Sequence, residues 1–310
     1  MRWRWHALYL AVLAAFGLGI YEAGQRVEYT WRWDRIPQYL VSDEGTEIKA
    51  DFDGFVEVAP DGRHLTLKEM RGARSQAVAG FDDLLVGDGD LVFQDDALAR
   101  KRGWVAGPLA RGLWLTLELS AVALLFSMLL GLLAGLGRVS RNPAAHGLAT
   151  TYVELVRGTP LLVQIFIFYF FIGTVLKLSA FAAGVAALAV FTGAYVAEIL
   201  RAGIESIPRG QMEAARSLGM SKPQAMRHVV LPQAFRQALP PLAGQSISLI
   251  KDSSLVSVMA LTDLTKAGRE VVSSTFSPFE VWFTVAAMYL VLTGLLSLAV
   301  RRLERKLAHD

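Results

Sequence analysis

Cysteine is missing from all 310 residues, which excludes disulfides, thiolate catalysis and cysteine-ligated metal. No GxxxxGK[ST] loop occurs, so the chain has no phosphate cradle of its own for ATP. The five histidines, at 6, 64, 146, 228 and 309, are scattered without ligand-like spacing. Neither a nucleophile elbow nor an HExxH segment is present, which leaves a membrane-embedded hydrolase without its machinery. Charge is also scarce: charged residues make up 19% and the formal net charge is +3. Lysine and arginine recur beside apolar runs rather than along one face, so nucleic acid is not an expected partner. Apolar residues, by contrast, reach 53% with a mean hydropathy of +0.38, and a membrane protein is the first expectation.

Residues 1–22 combine a basic start with an apolar run from His6 to Tyr21. A signal peptide has the same ingredients. Trp and Tyr at both edges form an aromatic belt and favour a retained transmembrane helix. Residues 23–107 are different material, without long apolar runs and with acidic residues in excess. Gly54–Val58 and His64–Lys68 alternate around Asp61-Gly62, a hairpin pattern. A second pair is expected between 80–86 and 90–94 across Gly87–Gly89. The segment reads as a small, mostly β extracytoplasmic insert that leans on the membrane part or on a partner, because its size is near the lower limit for independent folding.

Residues 108–310 carry the remaining spans: 109–137, 151–176, 180–200, 242–262 and 280–300. With the first helix the fold class is an all-α polytopic membrane protein of about six transmembrane helices, interrupted by the β insert. Glu118, near the edge of its span, reads as an interfacial residue. Glu154 and Arg157, and again Glu198 and Arg201, are three apart and can pair on one helical face. Thr159-Pro160 is expected to kink its helix. Arg2, Arg4, Arg138, Arg141, the basic loop 201–241 and Arg301–Lys306 fall on one side if six spans are threaded from an inside start. The positive-inside bias therefore places both termini and that loop in the cytosol.

The loop 201–241 is polar, basic and punctuated as two short helices. Pro208 suits a first turn, and Gly219 stands where a left-handed C-terminal cap belongs. Ser221 and Gln224 form a capping box with Pro223 in the first turn. Pro232 is expected to bend or end the second helix. Glu213-Ala214-Ala215, then Gly219 three residues on, then Leu231-Pro232 resembles the EAA loop of ABC-importer permeases, with Val229 where that pattern has Ile. Arg157–Pro160, Ala194–Ile199 and Lys251–Leu255 are similar to the polar-amino-acid uptake branch. The resemblance covers about residues 108–306. It implies a bacterial inner-membrane permease subunit that is not itself an enzyme and binds no cofactor. ATP sits on a separate dimeric ABC ATPase. The other implied partners are a second permease copy or paralogue, an extracytoplasmic amino-acid-binding protein and membrane lipid. Glu213, Ala214, Ala215 and Gly219 would form the rigid foot against the ATPase, with Leu218, Met220 and Met226 as apolar anchors.

A translocation path needs polar groups at mid-membrane depth. Gln164, Thr192 and Asp252 fall at similar depth, with Lys251 beside them. Gln245, Ser248 and Asp252 share a helical face, and Ser253 extends the polar run. Asp252 or Lys251 would neutralise one end of an amino acid, or else serve a structural Lys–Asp arrangement between helices. A lone Gln such as Gln164 more often bonds a neighbouring helix. A membrane-anchored sensor or assembly factor with 23–107 as receptor is the alternative function. It leaves the EAA spacing and the polar span unexplained.

Overall fold

The computed structural model describes residues 2–26, 29–43 and 45–307. Residues 1, 27, 28, 44 and 308–310, which belong to the segments expected at 1–22, 23–107 and 108–310, lie outside the described residues. Helix α1 (Arg2–Arg26) contains the first apolar run, and a strap leads through α2 (Ile36–Leu40) into the β unit. The strands are β1 (Val41–Ser42), β2 (Thr46–Lys49), β3 (Gly54–Val58), β4 (His64–Glu69), β5 (Ser75–Ala79), β6 (Asp83–Leu84), β7 (Leu91–Val92), β8 (Ala97–Lys101) and β9 (Val105–Ala106). One sheet runs β5-β4-β3-β7, a second β2-β8-β6, and β1 pairs with β9.

The hairpin β3–β4 forms in the register Gly54↔Glu69 to Val58↔Leu65, with Gly62 at φ +63 in its turn. Val56, Leu65, Leu67, Val78, Val92 and Leu98 close its core. The second expected hairpin is absent: β6 pairs with β8, and β7 pairs with β3. The reason is capture by the first sheet. Val56 and Gly89 each donate a backbone bond across this junction, to Asp90 and Val56, which draws Val92 into the core. Asp90 and Asp96 then fold 86–96 back on itself and Asp88 ties it to Val58 of β3, a local chemistry that strand alternation does not report.

Beyond the β unit come α3 (Pro108–Arg138), α4 (Pro143–Arg157), α5 (Leu161–Phe166), a wide turn at 167–172, α6 (Gly173–Leu176) and α7 (Ala180–Glu205). They are followed by α8 (Arg209–Ser217), α9 (Lys222–Ala225), α10 (Leu231–Asp252), α11 (Leu264–Thr275) and α12 (Pro278–Leu307). Among the described residues, four helices are long and apolar enough to cross a membrane: Trp5–Glu22 within α1, then α3, α7 and Pro278–Arg302 within α12. Helices α4 and α5–α6 make a fifth candidate, bent by 105°. The expected span 151–176 is therefore not one straight helix. Pro160 breaks it into an amphipathic α4 and an apolar helix that begins at Leu161. The expected span 242–262 is not a uniform apolar helix either. It is the second half of α10, with Pro240 and Pro241 inside, continued by tight turns at Ser253–Val258.

Small residues decide how the bundle closes. A Cβ on Gly131 of α3 would stand 2.3 Å from Val196 Cγ1 and 2.9 Å from the Gly193 carbonyl of α7. These helices touch backbone to backbone, the close approach that an Ala- and Gly-rich span permits. Gly203 admits the Ala234 carbonyl of α10 in the same way, 3.0 Å from where its Cβ would be. At the other end Ile36, Tyr39 and Leu40 of the strap pack with Leu109, Leu264 and Val281 of the bundle. Glu280, fully buried in the first turn of α12, accepts the Tyr29 hydroxyl and the Arg32 N–H, each at 2.5 Å. Burial, and then the Glu280 carboxylate, push the Tyr29 phenol above its ordinary pKa. Helix α1 has no buried residue among those described, and an apolar groove separates it from Leu113, Phe283 and Ala287.

Candidate functional site

The foot begins where α7 ends. Pro208 is the N-cap residue of α8 rather than a first-turn residue. At the far end Gly219 takes φ +87. Its N–H donates to the Arg216 carbonyl at 3.0 Å, and Met220 N–H donates to the Ala215 carbonyl at 3.3 Å. This is a Schellman closure, and it satisfies carbonyls that the helix end would otherwise leave open. The reciprocal capping box follows at once: Ser221 N–H donates to Gln224 Oε1 at 2.8 Å, and Gln224 N–H to Ser221 Oγ at 3.5 Å. Pro232 does not end the second helix. The chain opens into a wide turn at Met226–Val230, just ahead of the proline, and continues as α10. That turn absorbs the missing donor.

The coupling residues divide by face. Ala215 is buried, and Met226 packs inward with Met212 on Ile207, Val230 and Ala234. Glu213, Ala214 and Gly219 are exposed, Met220 is half-buried, and Leu218 is 82% exposed at the tip. The foot is fastened to the bundle by its own polar groups. Ser206 Oγ donates to Gln237 Oε1, and Gln233 Nε2 bridges the Val229 carbonyl at 2.9 Å to Gln211 Oε1 at 3.4 Å. These bonds join the foot to the ends of α7 and α10.

Close to the foot lies a charged hub that sequence spacing only half resolves. Glu198 pairs with Arg201 at 2.7 Å, as the spacing indicates. It also receives Arg138 from the end of α3 and Arg157 from α4, the latter at 3.5 Å. Arg157 thus turns away from Glu154, its expected partner, and sits over the Tyr195 ring at 5.3 Å. Arg201 also reaches Glu205. One carboxylate so gathers the ends of α3, α4 and α7 beside the foot. Since α3 starts at the β unit and rises about 46 Å over its 31 residues, β unit and foot occupy opposite ends of the bundle.

The polar-path residues are less alike than their sequence depth implies. Gln164 is 6% exposed and donates to the Val156 carbonyl and Thr159 Oγ1, each at 2.8 Å. Its amide nitrogen holds the bend between α4 and α5, while Oε1 is buried without a partner among the described residues. Thr192 is fully buried on α7, and its hydroxyl also lacks a partner among the described residues. Ser253 is buried and donates to the Ile250 carbonyl at 2.7 Å. Gln245, Ser248 and Asp252 are half-buried and Lys251 is exposed. Neither Lys251 nor Asp252 is in an ion pair among the described residues.

The model of the family described as "Binding-protein-dependent transport system inner membrane component" matches residues 127–309. The chain belongs to this family. The match leaves α1 and the β unit outside it. The permease is 44% identical over 197 residues to the probable glutamine ABC transporter permease protein GlnM of Bacillus subtilis (strain 168), covering 63% of this chain and 91% of that one. It is 39% identical over 208 residues to the glutamine transport system permease protein GlnP of Escherichia coli (strain K12), covering 66% and 95%. The L-cystine transport system permease protein TcyB of Bacillus subtilis is 39% identical over 201 residues, covering 64% and 86%. Among solved structures, "Crystal structure of an amino acid ABC transporter with histidines" superposes with a TM-score of 0.60 at 41% identity, covering 64% of the permease and 94% of that chain. An inward-facing MetNI methionine ABC transporter shares the fold, with a TM-score of 0.58 at 24% identity.

Proposed function

We propose that the permease forms the membrane path of an ATP-driven importer for a polar amino acid in a bacterial inner membrane. The observation that carries this is the foot. A left-handed glycine and a capping box lock two short helices at the EAA spacing, and Leu218 projects from their tip. A rigid, exposed apolar tip fastened to α7 and α10 is what an ATPase needs in order to push on the membrane spans. ATP stays on that separate ATPase dimer, and a second copy or paralogue of the permease completes the path.

In this reading six crossings are made by α1, α3, α5–α6, α7, α10 with its continuation, and α12. Both termini and the foot are cytosolic, and the β unit is extracytoplasmic. Support comes from the basic residues that gather at the foot end and from the placement of the β unit at the other. The substrate passes Thr192, Gln245, Ser248, Lys251 and Asp252, with the two charges matched to the two ends of a zwitterion. Gln164 contributes its unpartnered carbonyl oxygen. The names of the relatives, glutamine and cystine permeases among them, support a polar amino acid as the substrate.

The test is uptake of labelled amino acids into proteoliposomes holding the permease, its ATPase and a binding protein. ATP-dependent uptake that is lost with Leu218→Asp supports the reading. Uptake indifferent to ATP, or indifferent to that change, overturns it.

A further inference from the structure

The β unit displays apolar side chains on a loop built to stay rigid. Phe55 and Leu91 are opposite one another on β3 and β7, so their side chains emerge on the same sheet face. Phe93 follows two residues on. These three are 47%, 44% and 57% exposed, while Val92 between them is buried. Strand β7 is at the edge of its sheet. Its loop is held by side-chain bonds to its own backbone. Asp90 accepts Gly87 N–H at 2.6 Å, Asp96 accepts Phe93 N–H at 2.8 Å, and Asp53 accepts Gln94 N–H at 2.7 Å. Asp88 ties the loop to β3 by accepting Val58 N–H at 2.8 Å. Rigid apolar groups held in solvent lose little entropy on docking, the arrangement that binding surfaces use.

Charge selects the occupant. Residues 75–99 contain six aspartates and no lysine or arginine, and the cation opposite Phe55, Lys68, is paired with Glu57. Asp88, Asp90, Asp95 and Asp96 are exposed around the apolar trio. An anionic lipid surface is repelled by such a rim, and so is a second copy of the same face. A soluble protein with an apolar recess edged by lysine or arginine fits it.

We infer that Phe55, Leu91 and Phe93 with their aspartate rim form a docking surface, additional to the family-matched part of the chain, for the soluble substrate-binding protein of this transporter. The inference rests on the importer reading and on the β unit lying outside the cytosol. The acidic rim raises the rate of encounter, and the trio holds the partner over the mouth of the path.

The experiment uses the whole permease–ATPase complex in nanodiscs and the purified binding protein that stimulates ATP hydrolysis by the wild-type complex. Half-saturating concentration is read at several salt concentrations. Leu91→Ser with Phe93→Ser is expected to raise it about tenfold, with basal hydrolysis and melting temperature unchanged. Asp88→Asn with Asp95→Asn is expected to flatten its salt dependence. If the wild-type complex is stimulated and both variants keep its half-saturating concentration and salt slope, the docking surface is refuted while the importer stands. If no binding protein stimulates the wild type, the importer reading fails and the inference with it. A variant that instead changes self-association or adsorption to anionic vesicles assigns the patch to the other occupant and also overturns the proposal.

Discussion

Replacing Gly219 separates two reasons for a glycine in the foot. The residue has φ +87, and nothing lies within 4 Å of where its Cβ would be. Within the permease the demand is therefore conformational and not steric. Holding an L-residue in that region costs about 1–2 kcal/mol, which shifts the balance between the closed turn and its alternatives by about five- to thirty-fold. Asparagine visits this region more readily than other side chains, and a β-branched residue visits it least. The expected order of ATPase affinity is glycine, then Gly219→Asn, then Gly219→Ala, then Gly219→Val. Binding of the ATPase to permease in nanodiscs, followed by ATP-dependent uptake, reads the series. The global melting temperature should move little, because the turn is exposed and local. A series in which asparagine is as harmful as valine would refute the backbone argument and point to a partner surface that leaves no room for a side chain. A neutral alanine would refute both.

Gly131→Ala is expected to destabilise the bundle by about 1–3 kcal/mol through overpacking against α7. Val196→Ala in the same chain should restore part of the loss, since the Gly193 carbonyl remains in the way; no loss in a detergent melt would contradict the backbone contact. Glu198→Ala leaves Arg138, Arg157 and Arg201 facing one another and should cost about 2–3 kcal/mol, with Glu198→Gln less harmful because it keeps an acceptor. Equal melting curves for the two would show that charge, not hydrogen bonding, holds the hub. Glu280→Gln should loosen the strap by about 1–3 kcal/mol, read as faster tryptic cleavage at the exposed Arg32 and Arg35; an unchanged rate would mean that the apolar seam alone holds it.

Much of this protein is legible locally. The caps at Gly219 and Ser221, the β3–β4 hairpin, the break at Pro160 and the Glu198–Arg201 pair each follow from residues within one or two turns of each other, and short-range chemistry needs no knowledge of the rest of the chain. The EAA spacing likewise marks the foot. What the fold alone decides depends on neighbours far along the chain. Gln164 is a path residue by depth, yet its amide nitrogen turns to the end of α4 because the sharp bend brings the Val156 carbonyl and Thr159 Oγ1 within reach. Met226 carries an anchor's chemistry, yet it turns inward because Ile207, in the turn after α7, and Ala234 of α10 meet it there. Residues 90–92 pair with β3 and not with β6 because Val92 completes a core assembled from both sheets. Arg138 meets Glu198 only because glycines let α3 and α7 lie side by side. Sequence determines the local element and its caps through bonds that close within a few residues. Which face an element shows, and to what, is settled only when distant surfaces compete for the same buried space.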